Sequence, residues 1–117
     1  LSLLLISHDL GVVAEVAETV AVMYAGKIVE IGTARAVFEE PRHPYTEGLL
    51  RSIPKLGSSL HRHKKLDMVE GVVPNMLDLP RGCAFAPRCN KSTAECSESE
   101  IGFDWIRGDH QARCIHV

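Results

Sequence analysis

Two groups of residues in this chain could do chemistry. The first centres on His8, in the stretch Leu3-Leu4-Leu5-Ile6-Ser7-His8-Asp9-Leu10. A histidine directly beyond an apolar, strand-length run is placed where ligands bind in parallel sheets, outside the carboxyl ends of the strands. The same position also suits an ordinary loop residue or helix cap. The second group is the set of four cysteines, spaced Cys83-x5-Cys89-x6-Cys96-x17-Cys114. Two disulfides would fit a small secreted domain. Structural zinc favours close C-x2–4-C knuckles, which this spacing lacks. His110 and His116, on either side of Cys114, keep a mixed Cys/His zinc site open. An iron–sulfur cluster takes four thiolates at wider spacings. Free cysteines packed as small buried hydrophobes complete the alternatives. Arg81, Arg88 and Arg113 lie close to Cys83, Cys89 and Cys114 and could offset the charge of a thiolate centre, or simply belong to solvated loops.

The elements that must hold these groups follow from the pattern of the chain. Leu3–Ile6 is a continuous apolar run, which predicts a strand buried on both faces. Asp9 can cap a helix to about Glu18, its carboxylate accepting from first-turn amides. Leu10, Val13, Ala14 and Ala17 form one face of that helix, widened by Val12 and Val16, while Glu15 and Glu18 face water. Strands are predicted at Val20–Tyr24 and Lys27–Ile31, joined at Ala25-Gly26 as a hairpin. The second, less uniformly apolar, is expected nearer a sheet edge. Gly32 ends it, Thr33 caps a helix to about Glu40, and Pro41 stops that helix. Pro44 suits the first turn of another helix. That helix carries Tyr45, Leu49, Leu50 and Ile53, which read as a packing stripe. Residues 54–66 have linker composition, and His61 to Lys65 is a solvated charge run. From Leu66 on, Gly71, Pro74, Pro80, Gly82 and Pro87 break the pattern. A tail this loop-rich needs a cross-link, a metal or a neighbouring domain to be held in place.

Composition narrows the class. The 117 residues are 45% hydrophobic and 24% charged, with net charge −2. There is no basic stripe of the kind nucleic acid requires, so a nucleic-acid partner is excluded. No apolar run approaches the roughly 20 residues that cross a bilayer. No basic segment precedes the apolar start and a charged helix follows it, unlike a signal peptide. The expectation is a soluble, cytoplasmic chain that can still dock on a membrane protein. Because it opens on Leu inside a strand, it is expected to be the end of a longer protein. Left without a partner, Leu3–Ile6 would present a bare sheet edge.

Three stretches, in order, resemble one family. Ile6-Ser7-His8-Asp9-Leu10 with Ala21-Val22-Met23-Tyr24-Ala25-Gly26-Lys27-Ile28-Val29-Glu30 resembles the switch-histidine region of ABC transporter ATPases and the hairpin after it. Arg42-His43-Pro44-Tyr45-Thr46 is similar to the His-Pro-Tyr signature of the oligopeptide/dipeptide importer branch. Pro80-Arg81-Gly82-Cys83-Ala84-Phe85-Ala86-Pro87-Arg88-Cys89 resembles that branch's cysteine-rich C-terminal extension.

The resemblance implies an α/β fold: the C-terminal fragment of a P-loop ABC ATPase domain, built as strand, helix and hairpin, plus a loop-rich Cys-containing extension. Residues 1–40 would end the nucleotide-binding domain, 41–66 would be the His-Pro-Tyr helix and linker, and 67–117 the extension. It implies that His8 is the switch histidine, touching the γ-phosphate and attacking water across an ATP sandwich dimer, a task that suits a fixed donor. Asp9 would hold the loop. Cys83, Cys89, Cys96 and Cys114 would ligate a [4Fe–4S] cluster of structural or regulatory use.

The implied function is the ATP-binding subunit of a dipeptide/oligopeptide importer. It would use ATP and Mg, and pair with membrane permease subunits and a second ATP-binding subunit. Its place would be the cytoplasmic face of the inner membrane, as a peripheral protein. The chain contains no G-x-x-x-x-G-K-[ST] phosphate loop, no strand ending in Asp-Glu and no Leu-Ser-Gly-Gly-Gln-like signature. It is therefore expected neither to bind ATP tightly nor to hydrolyse it alone. The alternative is a metal-binding module, iron–sulfur or zinc, that serves as a docking or regulatory surface.

Overall fold

The structure is a computed structural model that describes residues 1–53, 69 and 71–117. Helix α1 spans Leu10–Val16 and is capped by Asp9, whose Oδ1 accepts from the amides of Gly11 at 3.0 Å and Val12 at 3.2 Å. It stops at Val16, two residues short of the expected end, with Ala17 extended as the C-cap. Val13 and Ala17 turn toward the core, but no residue of the helix is fully buried.

Strands β1 (Thr19–Tyr24) and β2 (Lys27–Thr33) form the predicted hairpin. Its two turn residues, Ala25 and Gly26, both have positive φ, 47° and 77°. That is the primed turn whose twist matches the flanking strands. In β1 burial alternates cleanly, with Val20, Val22 and Tyr24 inside. In β2 the ladder skips one residue: Val22 lies opposite Glu30, and Met23 opposite Ile28. This bulge re-aims the strand, and the consecutive residues Val29 and Glu30 are both buried there. Strand β2 runs on through Gly32 to Thr33, whose Oγ1 then caps α2 (Ala34–Glu39) at Ala36 N. Helix α3 (Pro44–Arg51) starts with Pro44 as expected and is capped by the His43 ring.

Two expectations are corrected. Leu3–Ile6 forms no strand; Leu3, Leu4 and Ile6 are each more than four-fifths exposed. A strand needs a neighbour for its amides and carbonyls, and β1, the strand nearest in sequence, pairs only with β2. Strand β2 is not at an edge. The sheet order is β1-β2-β4-β3, antiparallel throughout.

Strands β3 (Asp104–Arg107) and β4 (His110–Ala112) come from the tail read as loop, and β4 lies against β2 at Glu30 and Ile31. The tail also holds a 3-10 turn at Ala86–Arg88 and helix α4 (Ala94–Glu98). The expected linker over residues 54–66 lies outside the described residues. The result is a mixed α/β unit in which hairpin, His-Pro-Tyr helix and cysteine-bearing segment share one core.

Candidate functional site: a four-thiol centre braced by a buried carboxylate

The core that unites the three stretches is aromatic. The Tyr24 and Tyr45 ring centroids are 4.6 Å apart, and Phe85 meets Tyr24 edge-on at 5.3 Å and Tyr45 at 5.4 Å. Each stretch contributes one ring: the hairpin Tyr24, α3 Tyr45, the cysteine segment Phe85. Such pairs add about 0.5–1.5 kcal/mol each beyond the area they bury. Tyr45 and Leu49 pack against this core, which is the packing role expected of them. Burial pushes the Tyr45 phenol above its usual range, the charge of Tyr24 adds to this, and Arg88 opposes it.

Behind the rings lies a residue that the sequence pattern did not single out. Glu30 is completely buried. Its Oε1 accepts from Arg42 N at 2.9 Å and from His110 Nε2 at 2.7 Å, and its Oε2 accepts from His43 N at 2.9 Å. Three donors and no acceptor converge on it, the arrangement a buried carboxylate requires. One side chain thereby ties β2 to β4 and to the His-Pro-Tyr segment. His43, 1% exposed, is held by that bond and turns its ring toward the cysteines. Its Nδ1 accepts from Tyr45 N at 3.1 Å, and its Nε2 lies 3.8 Å from Cys83 Sγ. Burial pushes His43 down to about 4, against the opposing pull of Glu30 and Glu47.

All four cysteines are free thiols: Cys96 and Cys114 are buried, and Cys83 and Cys89 partly so. Gly82 makes the approach of their segments possible. Its amide bonds to Ser97 O and the Cys83 amide to Cys96 O. A Cβ at Gly82 would sit 2.6 Å from Ser99 O and closer still to Cys96 O.

Three of the sulfurs receive a backbone amide. Lys91 N reaches Cys89 at 3.4 Å, whereas the Ala86 amide goes to the carbonyl oxygen of Cys83 at 3.0 Å. Thr93 N reaches Cys96 at 3.4 Å, and His116 N reaches Cys114 at 3.5 Å. His116 Nε2 is a further 3.6 Å from Cys96 Sγ. The thiols also feel one another. Burial pushes Cys114 up first, the His116 amide pulls it down, and charge on Cys83, Cys89 and Cys96 pushes it up again. Cys83 is raised mainly by burial and further by Cys89 and Cys96.

Among the described residues, no three His, Cys, Asp or Glu side chains gather around a single-ion position. Four thiols, three of them met by a backbone N–H, are the ligand type and number that an iron–sulfur cluster takes.

Two of the arginines serve the scaffold, while Arg81 is exposed. Arg113 donates to Ile28 O and Ile101 O and stacks over Phe103. Arg88 donates to Tyr24 Oη and Val69 O. Lys91 Nζ meets Glu47 Oε1 at 3.2 Å, linking the Cys89 loop to α3.

His8 stands apart from this centre. It is exposed on the lead-in to α1, and among the described residues no hydrogen bond or ion pair involves its ring. Beside it the Asp9 amide donates to Ser7 Oγ at 3.0 Å.

The family described as oligopeptide/dipeptide transporter, C-terminal region, matches residues 29–96, from within β2 into α4 and including three of the four cysteines. A Brucella ovis protein bearing the name of a peptide import ATP-binding protein is 48% identical over 98% of this chain. The dipeptide transport ATP-binding protein of Haemophilus influenzae is 47% identical over 97% of this chain and 33% of its own length. The oligopeptide transport ATP-binding protein of Bacillus subtilis is 46% identical over 97% of this chain and 34% of its own. The chain spans about a third of the length of these curated relatives.

Proposed function

The chain belongs to the oligopeptide/dipeptide transporter C-terminal-region family, and from that premise we propose that it is the C-terminal part of an importer's ATP-binding subunit. The observation that carries this reading is the 43–48% identity to peptide and dipeptide import ATP-binding proteins across nearly the whole chain. In this reading residues 1–40 close the nucleotide-binding domain, 41–66 hold the His-Pro-Tyr helix and its linker, and 67–117 form the cysteine-bearing extension. The longer protein binds ATP and Mg at the cytoplasmic face of the membrane and works with permease subunits and a second ATP-binding subunit. Among the described residues, no helix is long and apolar enough to cross a membrane.

His8 is the proposed switch residue. Its exposed ring, beside the Ser7–Asp9 turn, can donate to a phosphoryl oxygen supplied by the rest of the ATPase site and orient an attacking water. The experiment is ATP turnover by the longer protein with His8→Ala. Hydrolysis should be lost while ATP binding persists; unchanged turnover refutes the role. The 117 residues by themselves hold no phosphate-loop sequence, so hydrolysis by the purified chain above a His8→Ala control would also overturn the reading.

A second element is supported by the backbone amides at Cys89, Cys96 and Cys114 and by the His43 ring beside Cys83. Cys83, Cys89, Cys96 and Cys114 would hold a [4Fe–4S] cluster, which supplies a structural or redox-sensing cross-link when bound. The chain's own part is to converge four thiolates and stabilise their charge with backbone dipoles. Broad visible absorbance of the anaerobically purified protein supports iron–sulfur. A colourless protein with one zinc per chain supports the docking or regulatory alternative built on Cys and His.

A further inference from the structure

We propose that His43 is a positioning residue of the four-thiol centre, donating its Nε2–H to the sulfur of Cys83 and so coupling the His-Pro-Tyr segment to that centre. The inference rests on the reading of the four cysteines as a cluster site. The tautomer follows from the network. His43 Nδ1 accepts the Tyr45 amide at 3.1 Å, so it carries no proton, and the ring's proton sits on Nε2. That nitrogen is 3.8 Å from Cys83 Sγ. The ring cannot readily turn away. It is 1% exposed, its backbone amide is held by Glu30 Oε2 at 2.9 Å, and Phe85 lies 6.0 Å from it.

The Ala86 amide goes to the Cys83 carbonyl oxygen at 3.0 Å, so among the described residues the His43 ring is the donor that the hydrogen-bond geometry places at the Cys83 sulfur. A thiol sulfur is a weak acceptor, and a donor held against it in a buried site suits a metal-bound thiolate. Hydrogen bonds to cluster sulfurs set the potential of the cluster, and partners that orient ligands are worth roughly 10–100-fold in metal affinity. Glu30, which holds both His43 and His110, would transmit any shift of β2 to the centre.

The experiment uses the longer protein, reconstituted anaerobically with iron and sulfide, as wild type, His43→Asn and His43→Gln. Asparagine can take the place of Nδ1 at the helix cap but does not reach the sulfur. Glutamine can extend an N–H toward the sulfur but gives up the cap. His43→Asn should shift the midpoint potential to more negative values and speed bleaching by a chelator roughly tenfold. His43→Gln should restore both toward wild type. Equal behaviour of Asn, Gln and wild type overturns the proposal. Equal damage in both variants also overturns it, since that outcome belongs to a helix-capping or packing role alone. A wild type that takes up no iron–sulfur chromophore refutes the four-thiol reading itself, and the proposal falls with it. Nitrogen-15 spectra of the wild-type protein give an arm independent of folding in the variants: an Nε2–H tautomer at His43 supports the assignment, and an Nδ1–H tautomer refutes it.

Discussion

Replacing Glu30 with glutamine is the substitution whose outcome the structure constrains most. Glutamine keeps the shape and removes one acceptor. With its oxygen at the Oε1 position it can still accept from Arg42 N and His110 Nε2. Its NH2 group then faces the His43 amide, donor against donor, where Oε2 had accepted at 2.9 Å. A hydrogen bond to a charged group contributes about 1.5–3 kcal/mol, and a buried donor left unsatisfied costs about 1–3 kcal/mol. Because the two describe overlapping losses, Glu30→Gln should cost about 2–4 kcal/mol. Glu30→Ala strands all three donors and should cost about 4–6 kcal/mol, comparable with the whole stability of a small domain. Urea denaturation followed by circular dichroism reads this directly. For a domain of this size the glutamine variant should also melt roughly 10 °C lower. A glutamine variant within about 0.5 kcal/mol of wild type would refute the reasoning, because it would mean that the three bonds to Glu30 hold nothing that water or rearrangement does not replace.

Other consequences are as specific. Phe85→Ala removes the ring shared by Tyr24, Tyr45 and His43 and should cost about 3–5 kcal/mol in the same denaturation assay. Gly82→Ala forces the chain off the Cys96 and Ser99 carbonyls; it should lower the melting temperature and the metal content together, whereas Gly102→Ala, where a Cβ meets nothing within 4 Å, should do neither. Lys91→Met breaks only a half-exposed ion pair with Glu47 and should change stability by less than about 1 kcal/mol. Tyr45 has a raised phenol pKa in the folded state. Above the ordinary value of about 10 the unfolded chain loses that proton first, so Tyr45's contribution is complete below pH 10 and declines as pH climbs toward the folded value. Ultraviolet titration should show its phenolate forming later than that of an exposed tyrosine, and a Tyr45→Phe protein should lose less stability in alkali.

What could be read from the chain was local chemistry. Asp9, Thr33 and Pro44 each act on amides within their own helix turn, so their roles at the helix starts were visible in the residue types. The Ala25-Gly26 hairpin was visible for the same reason. Leu3–Ile6 misled because an apolar run says that a segment prefers burial, not that a partner strand exists. Strands β3 and β4 were missed because they are 4 and 3 residues long; the pair Gly108-Asp109 between them is a two-residue hairpin signal that could have exposed them. Glu30 was out of reach in another way. An acidic residue in a strand suggests a solvent-facing edge, and its three donors lie 12, 13 and 80 positions away in the chain. The cysteine spacing raised a metal centre as one alternative among several. The amides that support it come from turns whose shape only the fold defines.

The proposed four-cysteine centre is tested most directly by counting iron and acid-labile sulfide per chain in the anaerobically purified protein and in its four single Cys→Ser variants. The account predicts four of each in the wild type and a marked loss in every variant at Cys83, Cys89, Cys96 and Cys114. A wild type that binds no iron, or serine variants that keep the full complement, would contradict it.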